Sequence, residues 1–219
     1  MIKTFDMRAV HSVTIELHGG MLTLAFACIA IKVVDILWGR FLGDKGGILR
    51  RILRKASEYS TPTILLAAIG GVIGLLLSAY TGSSLMPFET ISNSSIALNK
   101  IMVTVFAVEL WSILVVFNLI YKEKAWETRG RTLMMVLTGG LGYFFSITGG
   151  SIGGTMAGKV SIMEPLWEFL GVDLHSSWIL SSDIVLVLVV AVTVGGILLV
   201  VFSTRILEFV SPKSKASNK

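Results

Sequence analysis

Charge is scarce in this chain of 219 residues. Only 15% of its positions are Asp, Glu, Lys or Arg, and 53% are hydrophobic. A soluble domain carries about 25% charged residues. The few charges gather in clusters between long uncharged runs, which is the pattern of a polytopic membrane protein. Cysteine is nearly absent as well. Cys28 stands alone inside an apolar run, so no intrachain disulfide can form and the redox compartment is not indicated. No proline lies beyond the first position of a predicted span and no inverted repeat is visible, which argues against a secondary transporter. There is no Cys/His zinc spacing, no H-E-x-x-H, no G-x-S-x-G and no histidine pair four apart, so an autonomous metalloenzyme or rhomboid-like protease is disfavoured. The first apolar run is too long for a cleavable signal peptide, and the residues before Cys28 make a poor lipoprotein signal.

What the chain does have is length in its apolar runs. Crossing about 30 Å of hydrocarbon takes roughly 20 helical residues. Five runs meet that requirement, at 13–38, 62–86, 98–121, 132–157 and 179–203. The expected fold is all-α, a single five-span membrane bundle, with Pro62 opening the second span and Pro87 following its end. The basic residues give the orientation. Segments 39–61, 122–131 and the tail carry fourteen Lys and Arg residues, against Lys3, Arg8 and Lys159 on the other side. The positive-inside rule therefore puts the N-terminus outside and the C-terminus in the cytoplasm of a plasma-membrane protein. The net charge of +5 is thus a topology signal, and no nucleic-acid partner is expected.

Two surface helices are predicted beside the spans. Over 48–58, Ile48, Leu49, Ile52, Leu53 and Ala56 share one face, with Arg50, Arg51, Arg54 and Lys55 on the other. This reads as an amphipathic helix on the anionic inner leaflet, in contact with lipid, or as a basic docking face for a partner. Over 161–171, Ile162, Leu166, Trp167, Phe169 and Leu170 accompany Glu164 and Glu168. They suggest an outer interfacial helix, with Trp167 and Trp178 at headgroup depth. Asn93-Ser94-Ser95 matches the N-glycosylation acceptor pattern, a weak signal.

Glycine is concentrated in the fourth span. Gly149/Gly153 and Gly150/Gly154 are each spaced by four, and Ala67, Gly70, Gly71 and Gly74 place small residues on the second span. Such spacing lets helix backbones approach closely. The alternative is that bare backbone leaves room for a tetrapyrrole or quinone ring.

Few residues can carry chemistry. The three histidines are His11, His18 and His175, all predicted on the outer half. Imidazole is costly in hydrocarbon without a partner or ligand, and His18 is followed at once by Gly19, Gly20 and Met21. A helix starting near Val10 puts His11, Thr14, His18 and Met21 on one face. At 1.5 Å per residue His11 and His18 stand about 10 Å apart, too far to share one metal. His18 is the candidate metal or axial ligand, completed by a methionine, by His175 folding back or by another subunit. A b-type haem, a quinol and copper are the cofactors weighed, against a simple hydrogen bond to a neighbouring helix. Glu109 lies near the centre of the third span, where a carboxylate costs around 3 kcal/mol on insertion scales and faces a site or a partner. It is the candidate proton-exchanging group, sharing its face with Met102, Ser112 and Val116, and a structural hydrogen bond is its competing role. Lys32 and Asp35, three apart, are expected to pair with each other. Asp183 is left unassigned.

Three stretches resemble the DUF2231 family of small membrane proteins. They are His18-Gly19-Gly20-Met21-Leu22, the run Ala67-Ala68-Ile69-Gly70-Gly71 through Ala79-Tyr80-Thr81-Gly82, and Thr148-Gly149-Gly150-Ser151-Ile152-Gly153-Gly154. The resemblance spans residues 11–160 and implies a respiratory or redox accessory protein with no established reaction. Gly19 stands where the family pattern has a proline, and Asn99 where it has a further histidine.

The expectation is a membrane subunit of a respiratory or electron-transfer oxidoreductase complex. Its outer-leaflet haem b or quinol site would centre on His18, with His11, His175, Gly19, Gly20 and Met21 around it and Glu109 nearby. The subunit is not expected to be catalytic by itself. A non-catalytic subunit docking to larger membrane partners through Gly-rich helix faces is the alternative, with a small transporter or channel third.

Overall fold

In the computed structural model, residues 6–43, 46–160, 163–171, 173 and 176 are described. The predicted fifth run at 179–203, His175, Trp178, Asp183 and the basic tail lie outside them. Among the described residues the chain is helical, without strands. The helices are α1 (Met7–Phe41), α2 (Gly47–Ser83), α3 (Phe88–Ser92), α4 (Ser95–Tyr121), α5 (Arg129–Met156) and α6 (Glu164–Phe169), with a 3-10 turn at Lys122–Trp126 after α4. Four of them, α1, α2, α4 and α5, are long and apolar enough to cross a membrane.

Polar residues start three of the four long helices. The Asp6 carboxylate accepts from the Arg8 amide at 3.0 Å, Ser94 caps α4 and Thr128 caps α5, each meeting an N–H that has no partner within its helix. With Asp6 as cap, α1 begins six residues before the predicted start at 13.

The largest departure from the sequence reading concerns α2. The predicted surface helix at 48–58 and the second span are one continuous helix of 37 residues, with Pro62 inside it. At 1.5 Å per residue this is about 55 Å, far more than the hydrocarbon thickness. Proline removes one i→i−4 hydrogen bond and crowds a carbonyl, yet Pro62 is solvent- or lipid-exposed. Hydroxyls on either side bond back to the helix, Ser60 to the Ala56 carbonyl at 2.9 Å and Thr63 to the Tyr59 carbonyl at 2.7 Å. Hydroxyl side chains of this kind help proline persist within membrane helices. The third and fourth predicted spans match α4 and α5 within three residues at each end. The predicted surface helix at 161–171 is represented by the shorter α6.

The long helices form two hairpins. α1 packs on α2 and α4 on α5, and the hairpins meet through α2 against α4 and α1 against α5. The core between them holds Leu22, Ile64, Trp111, Leu114 and Met135, all essentially inaccessible. Trp111 fills it because Gly142 leaves room: a Cβ there would stand 3.1 Å from the indole nitrogen. That nitrogen donates to Ser146 Oγ at 3.2 Å. Phe26 of α1 stacks on Tyr143 of α5, with centroids 4.4 Å apart. Large apolar residues such as Val13, Leu66, Ile73, Leu119 and Leu133 face outward, as a bundle solvated by lipid requires.

One turn needs its glycines. Between α1 and α2, Gly43, Gly46 and Gly47 all have positive φ, open to residues without a Cβ. At Gly46 a Cβ would also stand 2.7 Å from the Trp38 ring. This turn brings the start of α2 back onto the last turns of α1.

Candidate functional site at the histidine end

The α1–α2 interface is a row of side chains seated in glycine gaps. Met21 occupies the space beside Gly70 and Leu22 that beside Gly71. A Cβ at Gly74 would stand 2.6 Å from His18 Cβ and 3.2 Å from its Cα. The His11 ring lies against Gly82, 3.0 Å from where a Cβ would be. The helical face predicted for His11, Thr14, His18 and Met21 is therefore the face that meets α2.

Both imidazoles are oriented by hydrogen bonds through Nδ1. His18 Nδ1–H donates to the Thr14 carbonyl at 2.7 Å, and a carbonyl can only accept. This fixes the tautomer and leaves Nε2 as the nitrogen open to a ligand. Among the described residues Nε2 of His18 has no hydrogen-bond partner. His11 Nδ1 lies 2.9 Å from Thr81 Oγ1, whose own proton goes to the Leu77 carbonyl at 2.8 Å. The Thr81 oxygen therefore accepts from His11.

Lys100 joins them from α4. It is half-buried and crosses α5 at Gly153, where a Cβ would stand 3.0 Å from its Nζ and 3.3 Å from its Cε. It lies within electrostatic range of both imidazoles. None of the salt bridges among the described residues involves it. Lys100 is not among the candidates that the sequence alone yields. Its signal was Gly153 at the matching depth of the antiparallel α5, visible only once the register of the hairpin is known.

The other predicted residues are placed differently. Gly19 and Gly20 are exposed, with no atom within 4 Å of a Cβ built on either. They lie on the outer surface of α1, away from α2. Glu109 is half-buried in the middle of α4. Its neighbour Trp111 lies level with Gly142, and Phe26 with Tyr143, so Glu109 stands about two helical turns deeper than His18. His11, His18 and Lys100 all lie toward the same end of the bundle, and Glu109 lies deeper. Asn99 is fully buried and donates to the Ser176 carbonyl at 2.7 Å. Gly149 and Gly153 are filled by α4 residues, whereas Gly140, Gly150 and Gly154 have nothing within 4 Å.

The opposite end of the bundle corrects one expectation. Lys32 and Asp35 do not pair with each other. Lys32 bonds Glu123 at 3.1 Å, and Asp35 pairs with Arg50 across the glycine turn. Ser57, Ser60, Thr61 and Asn118 are buried close by in sequence and depth, and Asn118 Nδ2 donates to the Thr61 carbonyl at 3.4 Å.

Among the described residues no three His, Cys, Asp or Glu side chains converge as a metal site would need. A haem needs only one or two axial ligands. His18 can supply one through Nε2. His11 is seven residues away on the same helix and Met21 is packed beside Gly70, so neither sits opposite His18. The described residues fit a small hydrogen-bonding ligand better than a bis-ligated haem.

Comparison with known proteins found no matching family model, characterised protein or solved structure.

Proposed function

We propose that the chain is a multi-pass membrane subunit of an electron-transfer complex, and that its histidine end forms part of a quinol site, with haem b as the second cofactor considered. The observation that carries this reading is the oriented His18. With Nδ1–H held by the Thr14 carbonyl, Nε2 is positioned as a base able to accept a hydroxyl proton from a quinol. The two electrons would leave to a redox centre in a partner subunit, and the second hydroxyl proton to water at the membrane surface. Positive-inside bias puts this end on the outer face of the plasma membrane, so the proton would be released outside. Glu109, deeper in α4, is the candidate for later proton exchange. The resemblance to the DUF2231 family points the same way.

The test is to purify the native complex, record an oxidised-minus-reduced spectrum and assay its lipid extract for quinone. Bound quinone that is lost in His18→Leu, with the assembly intact, supports the proposal. Absence of both a Soret band and quinone from the native complex sinks it.

The second reading is a non-catalytic docking subunit, favoured by the open positions Gly140, Gly150 and Gly154. Small-residue faces of this kind support close helix association. On that reading His18→Leu leaves complex activity unchanged, while Gly150→Leu with Gly154→Leu dissociates the assembly.

A further inference from the structure

At the end of the bundle opposite the histidines, buried and exposed charges are treated differently. Lys32 and Arg50 are paired, with Glu123 and Asp35. Arg51, Arg54 and Lys55, on the first turns of α2, are exposed. Among the described residues Arg51 and Lys55 enter no ion pair, and Arg54 meets only the exposed Glu58, 3.9 Å away. A contact of that kind is weak. Arg54 and Lys55 follow Arg51 by three and four residues, so the trio shares one side of the helix, each with its Cβ about 5–6 Å from that of Arg51.

The segment that carries them cannot lie flat as a separate surface helix, because it runs on into the span as part of α2. The Asp35–Arg50 pair ties it to α1, and Ser57 and Ser60 on its inner side are buried. It stands upright, and its register gives its depth. The exposed charges Lys122, Glu123 and Lys124 mark where hydrocarbon ends on α4. Asn118 Nδ2 meets the Thr61 carbonyl at 3.4 Å, and α2 starts at the end of the bundle where α4 finishes. One turn beyond that contact, Lys122 is level with Ser57. From there Lys55 stands about 3 Å past the hydrocarbon edge, Arg54 about 4–5 Å and Arg51 about 9 Å. The headgroup layer is about 5–8 Å deep. The trio is at phosphate level.

Below it, Ile52, Tyr59, Leu66 and Ile73 recur every seven residues and are all exposed. Lys55, three after Ile52 and four before Tyr59, belongs to that stripe, which leads from the basic side chains into hydrocarbon. The α4–α5 turn at the same end is unlike it. There Lys122, Lys124 and Arg129 alternate with Glu123 and Glu127. Arg131 is engaged by the Tyr121 ring, 4.5 Å from its centroid, and by the Lys124 carbonyl at 3.3 Å.

We propose that Arg51, Arg54 and Lys55 form a phosphate-binding face for an anionic phospholipid in the leaflet where α2 begins. Ammonium and guanidinium groups only donate and a phosphodiester only accepts, so the two match. The apolar stripe takes the acyl chain. The positive-inside rule makes this the anionic leaflet. A second copy meeting this face with its own would oppose like charges. The proposal uses nothing at the histidine end and is independent of the quinol reading.

The full chain in detergent is titrated with phosphatidylglycerol and, separately, with phosphatidylcholine, and bound lipid is counted by native mass spectrometry. The expected result is tighter binding of phosphatidylglycerol, weakened about tenfold by Arg51→Gln with Lys55→Gln. Lys124→Gln with Arg129→Gln removes as many exposed charges from the same end and should leave binding nearly unchanged. Circular dichroism checks that each variant folds. If a double variant does not, Lys55→Gln and Lys124→Gln alone make the same comparison. Soluble glycerol phosphate and a polyglutamate peptide are then added as competitors. Resistance to both supports the lipid assignment. Displacement by glycerol phosphate makes this a free-anion site, and displacement by the peptide makes it a docking face for an acidic partner. Either result overturns the proposal, as do equal binding of the two lipids or equal losses in the two double variants.

Discussion

The two ends of the bundle handle polar groups in opposite ways. At one end the charges neutralise each other across helices: Lys32 reaches Glu123 beyond α4, and Asp35 reaches Arg50 at the start of α2. At the other end His11, His18 and Lys100 bring like-signed or chargeable groups together, and no carboxylate among the described residues answers them. The paired charges tie α1 to the start of α2 and to the turn after α4. Basic groups partly withdrawn from water without a carboxylate partner carry a desolvation cost. The first end pairs its charges within the fold, and the second leaves its basic groups without a carboxylate partner among the described residues.

The contrast breaks most sharply at Asp35. Its side chain is 18% exposed and that of Arg50 is 14% exposed, so the pair is largely removed from water. Asp35→Ala strands a buried guanidinium, and breaking a buried pair in this way costs about 3 kcal/mol or more. The thermal midpoint of the full chain in detergent should fall by several degrees, the largest loss at either end. His18→Ala, a polar deletion at the other end, should move it far less. Equal losses would show that the histidines are as structural as the ion pairs.

Gly74→Val tests the packing that seats the histidine. Its Cβ would stand 2.6 Å from His18 Cβ and 3.2 Å from Cα. Neither atom can rotate away, so α1 and α2 must separate. Overpacking of this kind costs about 1–3 kcal/mol. The expected outcome is a moderate loss of stability together with loss of ligand at the histidine end. A variant that keeps full ligand binding would show that His18 is not positioned by α2.

Much of this architecture is legible in the sequence, and what was missed has physical reasons. The spacing of Ala67, Gly70, Gly71 and Gly74 marks a packing face, and the offsets of His11, Thr14, His18 and Met21 mark the face that fills it. Four of the long apolar runs correspond to helices because hydrophobic length is a local property. The pairing of Lys32 with Asp35 was wrong because proximity along one helix competes with groups brought in by another. Only the Gly43–Gly47 turn, with its positive φ values, puts Arg50 beside Asp35. Proline's effect on backbone hydrogen bonding makes Pro62 an expected helix start, but an exposed proline flanked by back-bonding hydroxyls is tolerated within the helix. Lys100 was hidden because its companion, Gly153, is a gap rather than a functional group.

The smallest expected effect sharpens the comparison from within the paired end. Lys32 is 10% exposed at its side chain, whereas Glu123 is 60% exposed. The two halves of this bridge are therefore unequal. Glu123 is already hydrated, so the bridge itself contributes no more than an exposed pair, about 0–1 kcal/mol. Lys32→Met replaces a buried ammonium with an apolar chain of similar length and returns Glu123 to water. Its stability should stay within about 1 kcal/mol of the parent chain, on either side of it. Glu123→Gln keeps a hydrogen-bond acceptor for Lys32 and should cost under about 1 kcal/mol. Paired thermal scans of the two variants decide the point. If either loses as much as Asp35→Ala, the Lys32–Glu123 contact is a clamp equal to the one at Arg50. If both stay near the parent, the helix register at this end rests on Asp35 and Arg50.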